Sequence, residues 1–306
     1  MLWGNNLQGR ERSGLVFALA GFALLSVGDA VVKSMAGLWP GLAIAALRYV
    51  AGVIGLGVVL ALREGRAGFR MARPGWQMLR GGGVAISAMA FFTALFLMPI
   101  ATATAITFTS PMITGLLAAL ILREPMRRAT WIASAFAFAG VLIVLRPNLA
   151  TLGAVAFLPL LSAIGMALLM IGNRAVAGHA SALAMQFSVA FFGTLILVPA
   201  AIIGHFSGLP MLHIGGPEWS VAARSVLIAC SASLAHTLVY MATTRAGAAT
   251  IAPMTYVQLL MAGFFGWLLF RERPDATALF GAAVIVAAGL YLWNAGRVEA
   301  PPRPGR

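Results

Sequence analysis

The chain has 306 residues, 61% of them hydrophobic and only 9% charged, with a formal net charge of +13 and a single cysteine; its mean hydropathy is +0.93. An ordinary soluble domain carries about 25% charged residues, so this chain cannot cover a water-facing surface with polar groups. A soluble enzyme, a disordered chain and a disulfide scaffold are excluded, which leaves a polytopic membrane protein with short loops.

A helix crosses the hydrocarbon with roughly 20 apolar residues, and ten such runs follow one another. The first, 14–36, is too long for a signal peptide and carries Asp29 and Lys33, four apart and so on one helical face. The second, 40–62, holds Arg48. These three charges predict either a structural ion pair, Asp29–Arg48 or Asp29–Lys33, or a functional Asp29 that couples protons or anchors a substrate ammonium. The third run, 79–98, includes Phe92, and only Pro99-Ile100 separates it from the fourth, 101–122, so the two form a tight antiparallel hairpin.

In the fourth run Pro111 removes a backbone hydrogen bond in mid-span. The carbonyl freed near Thr107, with the hydroxyls of Thr107, Thr109 and Ser110, either lines a wet cavity or belongs to a kinked helix whose hydroxyls bond back to their own turns. The fifth run, 130–146, and the tenth, 276–294, place small residues four apart: Ala133 with Ala137, Ala135 with Ala139, Ala283 with Ala287. That spacing suits close helix packing. Between them lie 153–172, 181–203, 221–243 and 247–270. The eighth run puts His236 and Tyr240 on one face, and the ninth carries Pro253, Thr255, Tyr256 and Gln258. Two proline-interrupted spans in corresponding halves point to a transporter's binding site. Phe92, Tyr240 and Tyr256 offer rings to a substrate and His236 a titratable group; ordinary packing is the alternative for each.

Orientation follows from the basic residues, all but one of which are arginine. With the N-terminus inside, the inner segments hold fifteen, Arg63, Arg66, Arg70, Arg73 and Arg80 among them, against five outside: Lys33, Arg146, Arg224, Arg271 and Arg273. The positive-inside rule then puts both termini in the cytoplasm; the arginine- and alanine-rich composition suggests a bacterial chain, and the resemblance named below implies its inner membrane. The rule also explains the arginine-rich 63–80 segment without nucleic acid.

Residues 79–124 overlay 227–272 with a constant shift of 148, pairing Phe92 with Tyr240, Thr107 with Thr255, Phe108 with Tyr256, and Arg123-Glu124 with Arg271-Glu272. Five spans separate the copies, and an odd number inverts the second relative to the membrane. The expected fold is therefore all-α, ten transmembrane helices in a 5+5 inverted-topology repeat, with a central cavity between the repeats that the family resemblance stated below implies. Residues 1–150 and 151–306 form the two halves, and these rock about a shared site. Glu124 and Glu272, each beside an arginine, read as interfacial salt bridges.

The stretch from Pro40-Gly41 to Ala45-Ala46-Leu47-Arg48-Tyr49, together with Thr109-Ser110-Pro111-Met112-Ile113-Thr114 and the two Arg-Glu pairs, resembles the EamA-type members of the drug/metabolite transporter superfamily. The length and ten-span layout are similar to their YddG-type aromatic amino acid exporters. The resemblance implies export of amino acids or related small metabolites, through a cavity lined mainly by spans one, three, four, six, eight and nine. Drugs or other metabolites such as nucleotide sugars are the alternative substrates; an intramembrane enzyme or a non-transporting scaffold is the alternative class. The sequence has no Walker, H-E-x-x-H or G-x-S-x-G motif, so the expectation is a gradient-driven transporter and not an enzyme. No cofactor or metal is expected. The expected partners are a small-molecule substrate and membrane lipid, in a monomer or weak homodimer.

Overall fold

The computed structural model describes residues 2–121, 128–176, 178–246 and 252–298. Among these residues eleven α-helices follow in order: α1 Leu2–Lys33, α2 Gly41–Glu64, α3 Pro74–Leu97, α4 Ile100–Thr107, α5 Ser110–Ile121, α6 Arg128–Leu152, α7 Leu158–Val176, α8 Ala182–Phe206, α9 Trp219–Ala246, α10 Tyr256–Phe270 and α11 Ala276–Val298. Among the described residues there is no strand, as a backbone without water requires of a non-barrel membrane protein. Among the described residues, nine stretches are long and apolar enough to cross a bilayer, with α4 and α5 counted as one span. The tenth, α10, is shorter because the four residues before it, Ala252–Thr255, wind as a 3₁₀ turn.

The fourth span is two helices and not one kinked helix. The chain leaves α4 after Thr107, turns at Phe108 and Thr109, and starts α5 at Ser110. Pro111 therefore stands in the first turn of α5, where its missing N–H has no helical acceptor to disappoint. Under the 148-residue shift the break at Phe108–Thr109 falls on Tyr256–Val257, directly after the 3₁₀ turn of the ninth span. Phe108 and Tyr256, partners under the 148-residue shift, meet there edge to face with ring centroids 5.6 Å apart.

The packing carries the inverted repeat. Helix α1 lies against α9 and α10, and α3 against α7 and α8; α2 lies against α8 and α9, α4 and α5 against α7, α4 against α10, and α6 against α11. Exchanging the first five spans for the last five maps this set onto itself: the α1–α9 contact becomes α7–α3, and α1–α10 becomes α7 with α4 and α5. The large interfaces all run between the first five spans and the last five.

Two contacts show why the helices come so close. A Cβ on Gly83 of α3 would collide with the Gly165 carbonyl of α7, and the converse also holds; one turn along, Ser87 and Ser162 share a 2.8 Å hydrogen bond. In the outer pair, Gly140 of α6 and Gly281 of α11 approach in the same way, with Ala133, Ala137 and Val144 buried beside them. Ala135, Ala139, Ala283 and Ala287 are exposed, so only the Ala133–Ala137 pair of the three expected stripes lies in the packed face.

Arg80 is not a loop charge. It is inside α3 and 3% exposed. Its Nε donates to Asn173 Oδ1 at 2.7 Å, Nη1 to Gln77 Oε1 and to Ser188 Oγ, and Nη2 to the Met185 carbonyl at 3.3 Å. This hub of neutral acceptors ties α3 to α7 and α8. The largest apolar core lies toward the face where α1 ends (the far face below), with Met35, Ile44, Leu95, Ile100, Leu197 and Val221 all buried. A smaller cluster around Ala18, Phe22 and Ala242 joins α1 to α9 nearer the N-terminal face.

Candidate functional site

Between α1, α2, α3 and α9 lies a cavity lined by Leu24, Leu25, Gly28, Asp29, Val32, Arg48, Phe92, Ile228, Ser231 and Ala232. Its volume is about 20 Å³, room for about one water molecule. A small-molecule site needs roughly 300 Å³ or more, so the centre is contracted in this conformation. The helices around it must part before a metabolite fits.

Two opposite charges face this space. Asp29, on α1, accepts a 3.0 Å hydrogen bond from Gln258 Nε2 of α10, and Ser26 Oγ donates to the Gln258 carbonyl at 2.7 Å. The aspartate is thus held by an amide and by neither of the cations considered from sequence. Lys33 turns instead to Glu272. Arg48, on α2, lies over two rings, its guanidinium carbon 5.4 Å from the centroids of both Tyr49 and Phe92. It makes no ion pair among the described residues, and it acts on Asp29 only through space. His236 is exposed, one helical turn beyond Ala232, and within electrostatic reach of Arg48.

The remaining candidates stand elsewhere. Thr107 Oγ1 donates to the Ala103 carbonyl at 3.0 Å and reaches the Pro159 carbonyl at 3.4 Å. The Ser110 carbonyl accepts from Thr114 Oγ1 at 2.8 Å, and Pro111 is exposed. The hydroxyls of this segment bond largely to their own turns, the local alternative open to any Ser or Thr in a helix. Tyr256 packs its ring on Phe108 and its hydroxyl into the space left by Gly289 of α11, near Met112. The side chains of Tyr240 and Pro253, and Arg123 and Glu124 entirely, lie outside the described residues. Glu272 pairs with Lys33 and not with its arginine neighbours. Ser26, Tyr49 and Ser231 join the site without having been expected. Ser26 shares the face of Asp29 three residues on, and Tyr49 belongs to the motif that carries Arg48, so both had a signal in the sequence.

The EamA-like transporter family matches residues 12–146 and, a second time, residues 153–294. The chain belongs to the EamA-like transporter family. It is a multi-pass membrane transporter of small molecules. Among its relatives, an S-adenosylmethionine uptake transporter of Rickettsia bellii is 27% identical over 74% of this chain and 75% of its own. A riboflavin transporter of Brucella anthropi is 26% identical over 91% of this chain and 96% of its own. The pseudopaline exporter of Pseudomonas aeruginosa is 26% identical over 92% and 96%. A crystal structure covering 94% of this EamA-like chain and 99% of its own superposes with a TM-score of 0.58 at 18% identity, a likeness of fold.

Proposed function

We propose that this transporter exports amino acids, aromatic and other neutral ones foremost, or closely related small metabolites, across the bacterial inner membrane by alternating access. One observation carries the reading: an aspartate and an arginine face the same central space without pairing. A buried charge is costly unless a counter-charge neutralises it. An α-amino acid supplies both counter-charges, its ammonium for Asp29 beside Gln258 and its carboxylate for Arg48. Phe92 and Tyr49, already stacked on the guanidinium, flank an aromatic side chain, and His236 stands at the rim. In this reading the N-terminal face, rich in arginine, is cytoplasmic, and residues 1–150 and 151–306 are the two inverted repeats.

Access alternates when α1, α9 and α10 shift against α7, α3, α4 and α5. The two helix breaks, at Phe108–Thr109 and at Ala252–Thr255, sit where these bodies meet. Thr107, Ser110, Pro111 and Tyr256 then serve the motion in this state and meet substrate only when the centre widens. The relatives that carry S-adenosylmethionine and riboflavin favour a second reading, a larger metabolite in the same site.

Proteoliposomes holding this protein alone test the proposal. Saturable movement of single amino acids, lost in Asp29→Asn and in Arg48→Gln while both variants remain in the membrane, is the expected result. No movement of any amino acid, with movement of S-adenosylmethionine or riboflavin instead, would replace the first reading by the second.

A further inference from the structure

We infer that Lys33 and Glu272 form the gate that shuts the central site off from the far face, gripping the turn between α3 and α4 when that face is closed. The inference uses the transport reading above for its outside and inside, but it does not depend on which substrate is carried.

The geometry is specific. Helix α10 ends with Arg271 in the left-handed region, φ 55°. That turn folds Glu272 back over the helix end, where its N–H donates to the Gly266 carbonyl at 3.0 Å. The carboxylate then lies on Gly266, and a Cβ at that position would collide with Oε2. Oε1 meets Lys33 Nζ at the end of α1, in the one ion pair formed among the described residues, and the two side chains are only 12% and 11% exposed. The Lys33 ammonium also lies 5.7 Å from the centroid of the Phe270 ring. Lys33 and Glu272 thus belong to the same moving body, the one containing α1 and α10.

Each then spends its remaining bonding capacity on the other body. Lys33 Nζ donates to the Met98 carbonyl at 2.6 Å, and the Ile100 N–H donates to Glu272 Oε2 at 2.9 Å. Met98 is the last residue before the Pro99 turn, and Ile100 opens α4. Its N–H is one of the free donors at a helix start, where a carboxylate is favoured. The ion pair orients both groups, and the α3–α4 turn receives them. Lys33 lies one helical turn beyond Asp29, and Glu272 follows the helix that carries Gln258, so the helices that hold the acidic side of the cavity also hold the gate. The far face cannot open without separating these two hydrogen bonds.

The test reads exposure of the cavity and uses no substrate. Cys230→Ala removes the native thiol, and Ser231→Cys places a reporter on the cavity wall. Labelling by a membrane-impermeant thiol reagent is timed in right-side-out and inverted vesicles. With Lys33 and Glu272 intact, labelling from outside is slow. Lys33→Gln and Glu272→Gln each raise it by about tenfold or more, whereas Lys33→Arg, which keeps the cation and its donors, leaves it near the parental rate. Reversing the pair, Lys33→Glu with Glu272→Lys, does not restore closure, because it sets a carboxylate against the Met98 carbonyl and an ammonium against the Ile100 N–H. Unchanged outside labelling in both neutral variants overturns the gate. So does loss of those variants from the membrane while Lys33→Arg is retained, which assigns the pair to folding. The same rise seen from the other side supports the gate and overturns the orientation. Failure of amino acid flux, with labelling as expected, overturns only the substrate.

Discussion

Arg48 offers a measurement in which protein and ligand are altered together. Its guanidinium is stacked on Tyr49 and Phe92 and has no carboxylate partner among the described residues, so a substrate carboxylate would be its anion. A hydrogen bond to a charged group contributes about 1.5–3 kcal/mol, which is roughly 10- to 150-fold in affinity. Phenylalanine and its carboxylate-free analogue phenethylamine should therefore differ by that factor as competitors of amino acid flux into proteoliposomes. In Arg48→Gln the factor should collapse toward one, since the group that distinguishes the two ligands is gone; the double comparison isolates the pair from general damage to the site. Arg48→Lys should keep part of the discrimination. It retains the charge but loses the flat stack, worth about 0.5–2 kcal/mol per ring. If Arg48→Gln still separates the two ligands by the parental factor, the carboxylate binds elsewhere and the charge-pair reasoning fails.

Three further outcomes follow from packing. Gly165→Leu should destabilise the protein by about 1–3 kcal/mol, as overpacking does, because the new side chain enters the Gly83 carbonyl and separates Ser87 from Ser162; an unchanged unfolding temperature in detergent would refute the close contact. Arg80→Ala should cost about 1–3 kcal/mol by leaving the Asn173 amide oxygen without its donor, whereas Arg66→Ala, on an exposed turn, should stay within about 0.5 kcal/mol. Titration with a denaturing detergent compares the two. Tyr256→Phe should keep amino acid flux within about twofold, since the hydroxyl faces Gly289 and not the cavity, and a larger loss would put that hydroxyl on the substrate path.

The layers of this architecture were unequally legible. Span number, the hairpin at Pro99 and the 148-residue repeat are written in long apolar runs and in residues such as Arg271-Glu272, because a bilayer leaves few alternatives to a helix. The cavity residues Asp29 and Arg48 could be singled out because charges in mid-span are rare, and Phe92 because the repeat pairs it with Tyr240. Their partners could not. Asp29 has two side-chain donors within one turn in sequence, Ser26 and Lys33, and only the packing of α10 on α1 selects Gln258. The Lys33–Glu272 pair joins residues far apart along the chain, so no local spacing reports it. Tyr256 reads as a substrate ring because its neighbours are polar, yet the void left by Gly289 of the next helix, α11, takes its hydroxyl. Arg80 was read as a topological signal because it follows four loop arginines; the acceptors that bury it come from α7 and α8.

That last feature bears on how the molecule is made. Every acceptor of Arg80 outside its own helix is synthesised roughly a hundred residues after it, and α1 and α3 both find their principal neighbours only in the later half. The nascent protein must therefore keep the Arg80 guanidinium and the Asp29 carboxylate in the lipid environment before the partners that later helices supply have emerged. An ionised side chain there costs about 2.5–3.5 kcal/mol by insertion scales. Biogenesis of this transporter should accordingly lean on whatever shelters half-finished bundles at the translocation site, and more so than for a protein whose early helices pack among themselves.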